Sequence, residues 1–291
     1  MWTLSLTQTT AEGGAAGHAR YDSRPFLPPA DAMTSPFLDA ALAAAEAASD
    51  LIRRAYRGNF QVEYKADASP VTEVDVAAEK IIKGLLQARF PDHGFFGEET
   101  GKSDIDSDYV WLVDPIDGTK SFVRGYPMFS VQIALMHKGE LILGVSSAPC
   151  WNDNRGEILY AEKGQGAWLD GQKLAVSTAT AIEKTTLSTG NLASLARKAE
   201  AWNRLGALIP RLHRIRGYGD FLHYHLLATG RIDAVVEADV NILDIAALTV
   251  ILREAGAVFT DLRGDAVGLP TTSVLAANPA LHATLREAIN F

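Results

Sequence analysis

Acidic residues occupy three places in this sequence where acids are unusual. Gly-Glu-Glu-Thr occupies 97–100, directly after an apolar pair, and Asp-Pro-Ile-Asp-Gly-Thr occupies 114–119, directly after the apolar run 111–113. Another acid, Asp244, lies inside the otherwise apolar segment 242–248. An ionised carboxylate left unpaired in a medium of low dielectric costs several kcal/mol, so each of these acids needs a cation. Too few lysines and arginines lie nearby to serve all of them, and the sequence therefore predicts bound metal.

The residue types indicate which metal and which ligand. Carboxylate oxygens are the ligands that Mg²⁺ prefers, together with waters and substrate phosphate, and no Cys or His shows zinc spacing. Asp114 and Asp117, three residues apart around a proline, can face one pocket from a turn. Gly118 and Thr119 follow, and a helix that begins there offers unpaired N–H groups to an anion. A metal site and a phosphate site are predicted side by side.

Each motif alone has a plainer explanation. A Glu-Glu pair is usually a solvated surface, and Asp-Gly-Thr is usually a turn. Asp244 precedes a helical pattern and is predicted to be its N-cap, which is compatible with metal binding. Taken together the motifs favour the metal site, because the plainer account must explain several buried acids separately.

The elements that must position these residues are predicted from periodicity and turn residues. Helices are predicted to begin at Ser35-Pro36 and at Thr72, where Thr-x-x-Asp resembles a capping box, and to pack as a pair. The strands predicted for the middle of the chain are 109–113, 129–136, 141–147 and 157–161, in an antiparallel meander. Strands at 234–237 and 274–277 then alternate with helices at 244–255 and from 279 onward. The fold class is α/β, with two lobes that share a core.

Composition narrows the class of protein. Among 291 residues, 47% are hydrophobic and 21% charged, which is typical of a globular chain. The net charge of −8 argues against nucleic acid or an anionic membrane as partner, although bound cations allow an anionic substrate. The single cysteine, Cys150, allows no intrachain disulfide, which fits the cytoplasm. No apolar run approaches the roughly 20 residues of a membrane helix.

The beginning of the chain has a different composition from the rest. Residues 1–34 are rich in Gly, Ala, Thr and Pro and lack periodicity, so they are predicted to be a disordered tail. They also lack the basic start and apolar stretch of a signal peptide. Residues 35–291 are predicted to form the functional domain, with lobes at about 35–182 and 183–291.

The three acidic motifs resemble those of the inositol monophosphatase-like family of Mg²⁺-dependent phosphatases. The resemblance runs from about residue 37 to the C-terminus. The third family motif, Trp-Asp-x-Ala-Ala, is matched by Leu-Asp-Ile-Ala-Ala at 243–247, so Leu243 replaces the Trp. The resemblance implies a layered αβαβα sandwich and hydrolysis of a small phosphorylated metabolite by a metal-activated water, without a phosphoenzyme.

The resemblance also implies a ligand set for two or three Mg²⁺ ions. One ion would be held by Glu98, Asp114 and the backbone carbonyl of Ile116. A second would be held by Asp114, Asp117 and Asp244.

Catalytic and phosphate-binding roles follow from the same resemblance. Asp75 and Thr119 would orient and deprotonate the attacking water, and Glu99 would support the metal ligands. Gly118 and Thr119 would contact the phosphate through their amides.

Two further segments point to a branch of the family. Thr-Lys-Ser-Phe-Val-Arg-Gly at 119–125 and Arg-Gly-Tyr-Gly-Asp-Phe at 216–221 resemble histidinol-phosphate phosphatases more than inositol phosphatases. Histidinol phosphate carries an ammonium and an imidazole, which Asp220 and Glu237 can bind by charge-assisted hydrogen bonds. Arg216, in the same motif, is the third expected substrate residue. An N-cap of the helix 221–228 is the alternative role for Asp220.

The predicted reaction is hydrolysis of L-histidinol phosphate to L-histidinol and phosphate, as in histidine biosynthesis. Inositol 1-phosphate is the second candidate. The third is 3′-phosphoadenosine 5′-phosphate, whose phosphatases share Lys-Ala-Asp at 65–67 but prefer Glu where Ser121 stands. A sugar-bisphosphatase and an inactive scaffold are disfavoured, the first because basic residues for a second phosphate are missing, the second because every matched ligand is present. A homodimer is usual in the family and is the expected assembly.

The histidines and the cysteine are not expected to bind metal. His213, His223 and His225 are interpreted as residues of a helix surface or a pocket wall. Cys150 is interpreted as a small buried residue without a catalytic role.

Overall fold

The computed structural model describes residues 34–58, 60–64 and 70–289. The predicted tail, apart from Thr34, and the Lys-Ala-Asp motif at 65–67 lie outside the described residues. The helices are α1 (Pro36–Tyr56), α2 (Glu73–Arg89), α3 (Thr119–Val123), α4 (Trp151–Asn154), α5 (Leu192–Ala196), α6 (Ala199–Leu208), α7 (Asp220–Ala228), α8 (Ile242–Glu254) and α9 (Pro279–Ile289). None of these helices combines the length and the apolar character that spanning a bilayer requires.

Within the described residues the strands form two main sheets and one small one. They are β1 (Val62–Tyr64), β2 (Pro70–Thr72), β3 (Gly94–Gly97), β4 (Gly101–Ser103), β5 (Tyr109–Asp117), β6 (Ser130–His137), β7 (Glu140–Ala148), β8 (Glu157–Glu162), β9 (Gly166–Leu169), β10 (Gln172–Lys173), β11 (Thr186–Thr189), β12 (Arg214–Arg216), β13 (Ala234–Ala238), β14 (Val258–Thr260) and β15 (Ser273–Ala277). The proposed lobe division near residue 183 falls between β10 and β11.

The larger sheet has eight strands in the order β10-β9-β8-β7-β6-β5-β3-β4. Strands β5 to β10 pair antiparallel in sequence order, which confirms the predicted meander. Strand β3 runs parallel to β5. Because parallel strands end at the same edge of a sheet, the residues after Gly97 lie beside the C-terminal end of β5.

Five layers alternate through the molecule. Helices α1 and α2 cover one face of the larger sheet, and α8, with α7 packed against it, covers the other. A five-stranded sheet, in the order β12-β11-β13-β15-β14, lies on the far side of α8. Helices α5, α6 and α9 cover its outer face. This αβαβα order confirms the predicted fold class.

The two helices of the first layer begin where the sequence predicts. Ser35 caps α1 by accepting from the Leu38 amide, and the proline follows at the first helical position. Thr72 caps α2, and Asp75 returns a bond to the Thr72 amide, which completes a capping box. The box therefore fixes the Asp75 carboxylate as well as the start of the helix.

Helix α8 is the central element of the packing. Its residues from Ile242 to Leu252 are all buried except Asp244, as expected of a helix apolar on every side. At Gly144 of β7 a Cβ atom would overlap the backbone of Ala247, so the backbone of α8 lies directly against the sheet.

Two predicted caps are wrong in detail. Helix α8 begins at Ile242, and its N-cap is Asn241, whose side chain accepts from the Leu243 amide. Asp244 lies in the first turn and accepts from the Asn241 amide, because the capping box places its acid three residues inside the helix. Asp220 is the first residue of α7 rather than its N-cap, which is Gly219.

Candidate active site

Strand β5 carries two of the expected metal ligands at its C-terminal end. Asp114 pairs with Gln132 and Asp117 with Ser130, so three residue steps on β5 face two on β6. The extra residue is a β-bulge, which re-aims the side chains that follow it.

The bulge brings both acids to one face of the sheet. Upstream, Leu112 faces the core that contains α8, whereas Val113 faces the α1–α2 side. Strict alternation would send Asp114 and Asp117 to opposite faces. Instead Ile116 packs on the α1–α2 side, and Asp117 lies beside Asp114.

The third acid of the cluster comes from the second half of the chain. Asp244, in the first turn of α8, offers a carboxylate oxygen that lies within 4.8 Å of oxygens from Asp114 and Asp117. Asp114 is buried, and the other two are half-buried. The structure thus brings together three expected ligands that are up to 130 residues apart in sequence.

The electrostatics of β5 are those of a concentrated negative charge. Burial raises the pKa of Asp114 well above its usual value, and the charges of Glu98, Asp117 and Asp244 raise it further. Burial likewise raises the pKa of Asp117, followed by the charges of Asp220 and then Asp244. Like charges at this separation are stable in the ionised form only beside a cation.

Asp244 has a milder environment. Burial raises its pKa to about 7, while the hydrogen bond from the Asn241 amide opposes the shift. Its carboxylate is therefore partly protonated near neutral pH when no cation is present.

The turn between β3 and β4 brings Glu98 to the cluster. The Glu98 amide donates to the carbonyl of Val113, the residue before Asp114 (3.2 Å). A contact between the Glu98 side chain and Asp114 adds to the raised pKa of Asp114. Glu98 is exposed and Glu99 is half-buried behind it.

Asp75 and Thr119 lie in contact, as expected from the sequence. The Thr119 hydroxyl is 3.2 Å from Asp75 Oδ1 and 3.0 Å from the carbonyl oxygen of Ile116, so one proton serves two acceptors. The other oxygen, Asp75 Oδ2, accepts from the Thr72 amide and hydroxyl. Burial raises the pKa of Asp75 despite these bonds, which makes the carboxylate a better base.

The expected helix start at Gly118 and Thr119 is confirmed. Gly118 caps α3 with φ of 92°, and a Cβ there would lie 2.5 Å from the Met128 carbonyl oxygen. The amides of Ser121 and Phe122 donate to the Gly118 carbonyl, so the amides of Gly118 and Thr119, which precede them, are the ones that can face an anion beside the acid cluster.

Asp220 and Glu237 form an acidic wall next to the cluster. The charge of Glu237 contributes, after burial, to raising the pKa of Asp220 to about 6, while His223 and Lys120 oppose the shift. Asp220 has a φ of 44°, the left-handed region that Asp and Asn tolerate. Arg216 is exposed, and its guanidinium donates to the Ile215 carbonyl, so its substrate role stays a prediction.

The residues that hold Glu237 were not predicted from the sequence. Glu237 Oε2 accepts from the Tyr224 hydroxyl (2.6 Å) and lies 3.0 Å from His223 Nε2. His223 and His225 are both buried, so the helix-surface alternative is wrong for them and the pocket-wall alternative is the one that the structure allows. A signal was present, because an aromatic and two histidines interrupt the apolar segment 221–228.

A further buried acid, Glu79, was also missed. It lies in α2 one turn after Asp75 and accepts from the amides of Glu99 and Thr100. Its position on the buried face of α2, with Ala78, could have shown that it has internal partners.

The donor set fits a hard divalent cation. Three carboxylates meet within 4.8 Å, and burial, followed by the charges of neighbouring acids, raises the pKa of each. Oxygen donors of this kind suit Mg²⁺. Among the described residues, Asp114, Asp117 and Asp244 are the acids grouped closely enough to hold such an ion, and Glu98 stays an expected ligand.

The chain is similar in sequence and in structure to known proteins. The model of the inositol monophosphatase family matches residues 33–291. A histidinol-phosphatase of Mycobacterium tuberculosis is 37% identical over 256 residues, 86% of this chain and 96% of that protein. The Nus factor SuhB of Escherichia coli is 33% identical over 264 residues, 88% and 97% of the two chains. The solved structure of an IMPase from Thermotoga maritima is 31% identical, with a TM-score of 0.78, and the match covers 88% of this chain and 97% of that one.

Proposed function

The chain belongs to the inositol monophosphatase family and is a phosphoric monoester hydrolase, and we propose that it hydrolyses L-histidinol phosphate with Mg²⁺. The observation that carries the choice of substrate is the acidic wall of Asp220 and Glu237. It lies beside Asp117, outside the three acids of the cluster. The Mycobacterium tuberculosis histidinol-phosphatase supports the same choice.

The acidic wall matches the charge of histidinol phosphate. The phosphate of the substrate needs cations, whereas its ammonium and imidazole need anions. Metal at Asp114, Asp117 and Asp244 serves the first need, and Asp220 and Glu237 serve the second. The Tyr224 and His223 contacts hold Glu237 Oε2, and Oε1 lies against Gly190, where a Cβ atom would overlap it.

The attacking water is oriented by Thr119 and Asp75. Mg²⁺ held by Asp114, Asp117 and Asp244 would supply a positive charge for the phosphate and would lower the pKa of the attacking water. The Thr119 hydroxyl, held by Asp75 Oδ1 and the Ile116 carbonyl, accepts a hydrogen bond from the water. The water proton passes through this hydroxyl to Asp75 Oδ1, whose raised pKa suits a base.

The phosphate is positioned by the start of α3. The amides of Gly118 and Thr119 face the anion, and the left-handed Gly118 lets the chain turn from β5 into the helix. Phosphoryl transfer needs little covalent work from a protein, so this positioning and charge neutralisation provide most of the rate.

Inositol 1-phosphate is the second candidate substrate. The likeness to the Thermotoga maritima IMPase favours it, and the phosphate-binding residues would serve it equally. A polyol without positive charge gains nothing from the pair Asp220 and Glu237, which is why we rank it second. The phosphoadenosine substrate ranks third for the same reason.

The experiment that tests the proposal compares phosphate release from the three substrates with Mg²⁺. We expect kcat/KM for L-histidinol phosphate to exceed that for inositol 1-phosphate and 3′-phosphoadenosine 5′-phosphate by at least tenfold. A tenfold difference corresponds to about 1.4 kcal/mol in activation free energy. A higher value for either competitor would contradict the proposal. The homodimer and the cytoplasmic location implied by the family stay part of this proposal, and light scattering in solution tests the first.

A further inference from the structure

Glu79 is a buried acid that the proposed reaction does not use. It lies in α2 with none of its surface exposed, one turn after Asp75. A buried carboxylate is costly unless hydrogen bonds or cations compensate it. The hydrogen-bond partners of Glu79 therefore indicate which part of the structure it stabilises.

Both oxygens of Glu79 bind the backbone of one turn. Oε2 accepts from the Glu99 amide at 2.8 Å, and Oε1 accepts from the Thr100 amide at 2.6 Å. A Cβ atom added at Gly97 would overlap the Glu79 carboxylate, so the backbone of β3 closes directly over it. The turn from 97 to 100 is thus folded around this one side chain.

The same turn carries Glu98 on its opposite side. The Glu98 amide is bonded to Val113 of β5, and its side chain contacts Asp114. The turn is therefore held on one side by Glu79, through the Glu99 and Thr100 amides, and on the other side by β5, through the Glu98 amide. Movement of the Glu99 and Thr100 amides would therefore displace Glu98 relative to Asp114.

We propose that Glu79 is a positioning residue for the metal site, which fixes the turn so that Glu98 faces Asp114. This inference rests on the proposed role of Glu98 as a metal ligand. Glu79 itself contacts the backbone and not the metal. A carboxylate is required because each of its two oxygens accepts from one amide. In a glutamine, one of these oxygens is replaced by an NH₂ group, which cannot accept a hydrogen bond.

The test is the E79Q variant, measured first without metal. We expect hydrogen exchange at the Glu99 and Thr100 amides of the metal-free protein to become faster. Calorimetric titration with Mg²⁺ should then show roughly ten- to hundredfold weaker binding, the usual effect of losing a residue that orients a ligand. The maximal kcat should return when Mg²⁺ is raised to saturation.

Glu254 provides a matched control within the same chain. Its carboxylate accepts from the amides of Gly164 and Gly166 at 2.9 and 2.8 Å, in the turn between β8 and β9. E254Q removes the same kind of bonds from a turn that carries no site residue. We expect faster exchange at Gly164 and Gly166 and unchanged Mg²⁺ binding.

The G97A variant tests the same contact without removing Glu79. Its Cβ should push the carboxylate from the turn and weaken Mg²⁺ binding in the wild-type background. In the E79A background it should add no further loss, because the overlapping group is gone. Equal losses in both backgrounds would contradict the proposal, and G97A serves alone where E79Q does not fold.

The E98Q variant separates this inference from the proposed function. Unchanged Mg²⁺ binding in E98Q would overturn the ligand role of Glu98 and the positioning role with it. Weaker binding in E98Q but unchanged binding in E79Q and G97A would overturn only the role of Glu79. Equal weakening in E79Q and E254Q would also overturn it, since general loosening would then explain both.

Discussion

At the scale of single residues, Asp114 and Asp117 combine burial with mutual repulsion. The pKa of both is raised, first by burial and then by neighbouring acids. Such groups destabilise the metal-free fold at neutral pH and become favourable when a cation binds. Their presence is explained by function rather than by stability.

The D117N variant tests this role of the cluster. We expect turnover to fall by roughly two to three orders of magnitude, as when one electrostatic contact to a transition state is lost. The melting temperature of the metal-free protein should stay equal or rise, because repulsion is removed. Phosphate release and thermal unfolding in EDTA measure the two effects, and near-normal turnover would refute the metal assignment.

Asp220 is the residue at which substrate choice can be tested. D220N keeps the side-chain shape, and Asn tolerates the φ of 44°. We expect the KM for L-histidinol phosphate to rise about tenfold or more, the effect of losing a hydrogen bond to a charged group, with inositol 1-phosphate little affected. D104N, exposed and also left-handed at φ of 50°, is the matched control. An equal loss on both substrates would remove the argument for selectivity.

The pKa of Asp220 adds a pH dependence to that test. Because burial and Glu237 raise it to about 6, Asp220 is ionised above that pH and becomes neutral below it. The KM for L-histidinol phosphate should therefore rise as pH falls from 7 to 5. The substrate phosphate and imidazole titrate in the same range, so the ratio of wild type to D220N is the measured quantity. A ratio that stays constant with pH would contradict the expectation.

At the scale of elements, the bulge in β5 and the glycine after it place the catalytic groups. The bulge turns Asp117 to the side of Asp114, and Gly118 then turns the chain into α3. Both depend on local backbone geometry that few residues tolerate. This part of the site is therefore sensitive to substitutions that leave every charge in place.

Gly118 and Gly125 make a matched pair for testing the turn. Both have positive φ, of 92° and 75°, but a Cβ at Gly118 meets the Met128 carbonyl whereas nothing lies within 4 Å at Gly125. G125A should cost about 1 kcal/mol from backbone strain alone. G118A should lower the melting temperature further and abolish phosphate release. Equal effects of the two variants would show that strain, and not the close approach, dominates.

The sequence predicted the elements whose signals are local. The capping residues of α1 and α2, the strands of the meander and the acidic motifs all depend on neighbours in the chain, and the structure places them as expected. The start of α8 was missed by two residues, because Asp244 and Asn241 both suit a cap and only the backbone decides between them.

The partners of buried polar residues could not be predicted in the same way. Glu79 binds a turn about 20 residues away, and Tyr224 and His223 bind Glu237 from another element. Sequence spacing carries no information about such pairs, because their meeting depends on how the layers pack. The polar character of these residues within apolar helical patterns indicates only that each needs a hydrogen-bond partner.

At the scale of the whole molecule, folding brings the acid cluster together from the larger sheet and the helix that packs on it. Asp114 and Asp117 belong to the larger sheet, whereas Asp244 belongs to α8. The pKa of Asp244 is raised from 3.8 to about 7, first by burial. The folded metal-free protein therefore holds a proton there that the unfolded chain releases above pH 4.

This difference predicts how stability changes with pH and metal. The contribution of Asp244 to the free energy of unfolding is fully present below 3.8, its pKa in the unfolded chain. This contribution is lost as the pH rises through about 7, its pKa in the folded protein. In EDTA, the melting temperature should fall by several degrees between pH 5 and pH 8, since 1 kcal/mol corresponds to about 2–4 °C in a chain of this size. Saturating Mg²⁺ should abolish most of the fall, and D244N should reduce it. A melting temperature that rises with pH in EDTA would contradict this account.

The bare contact between Gly144 and Ala247 has a consequence for protein engineering. It joins β7, in the half of the chain that supplies Glu98, Asp114, Asp117 and Thr119, to α8, in the half that supplies Asp220, Glu237 and the third acid of the cluster, Asp244. The residues expected to choose the substrate thus all lie in the second half, whereas the acid cluster needs both halves, and the two halves meet here through backbone atoms. Chimaeras exchanged near residue 183 with a relative of different substrate should keep hydrolysis and acquire the donor's preference, provided that Gly144 is retained and the donor segment carries an acid at the position of Asp244.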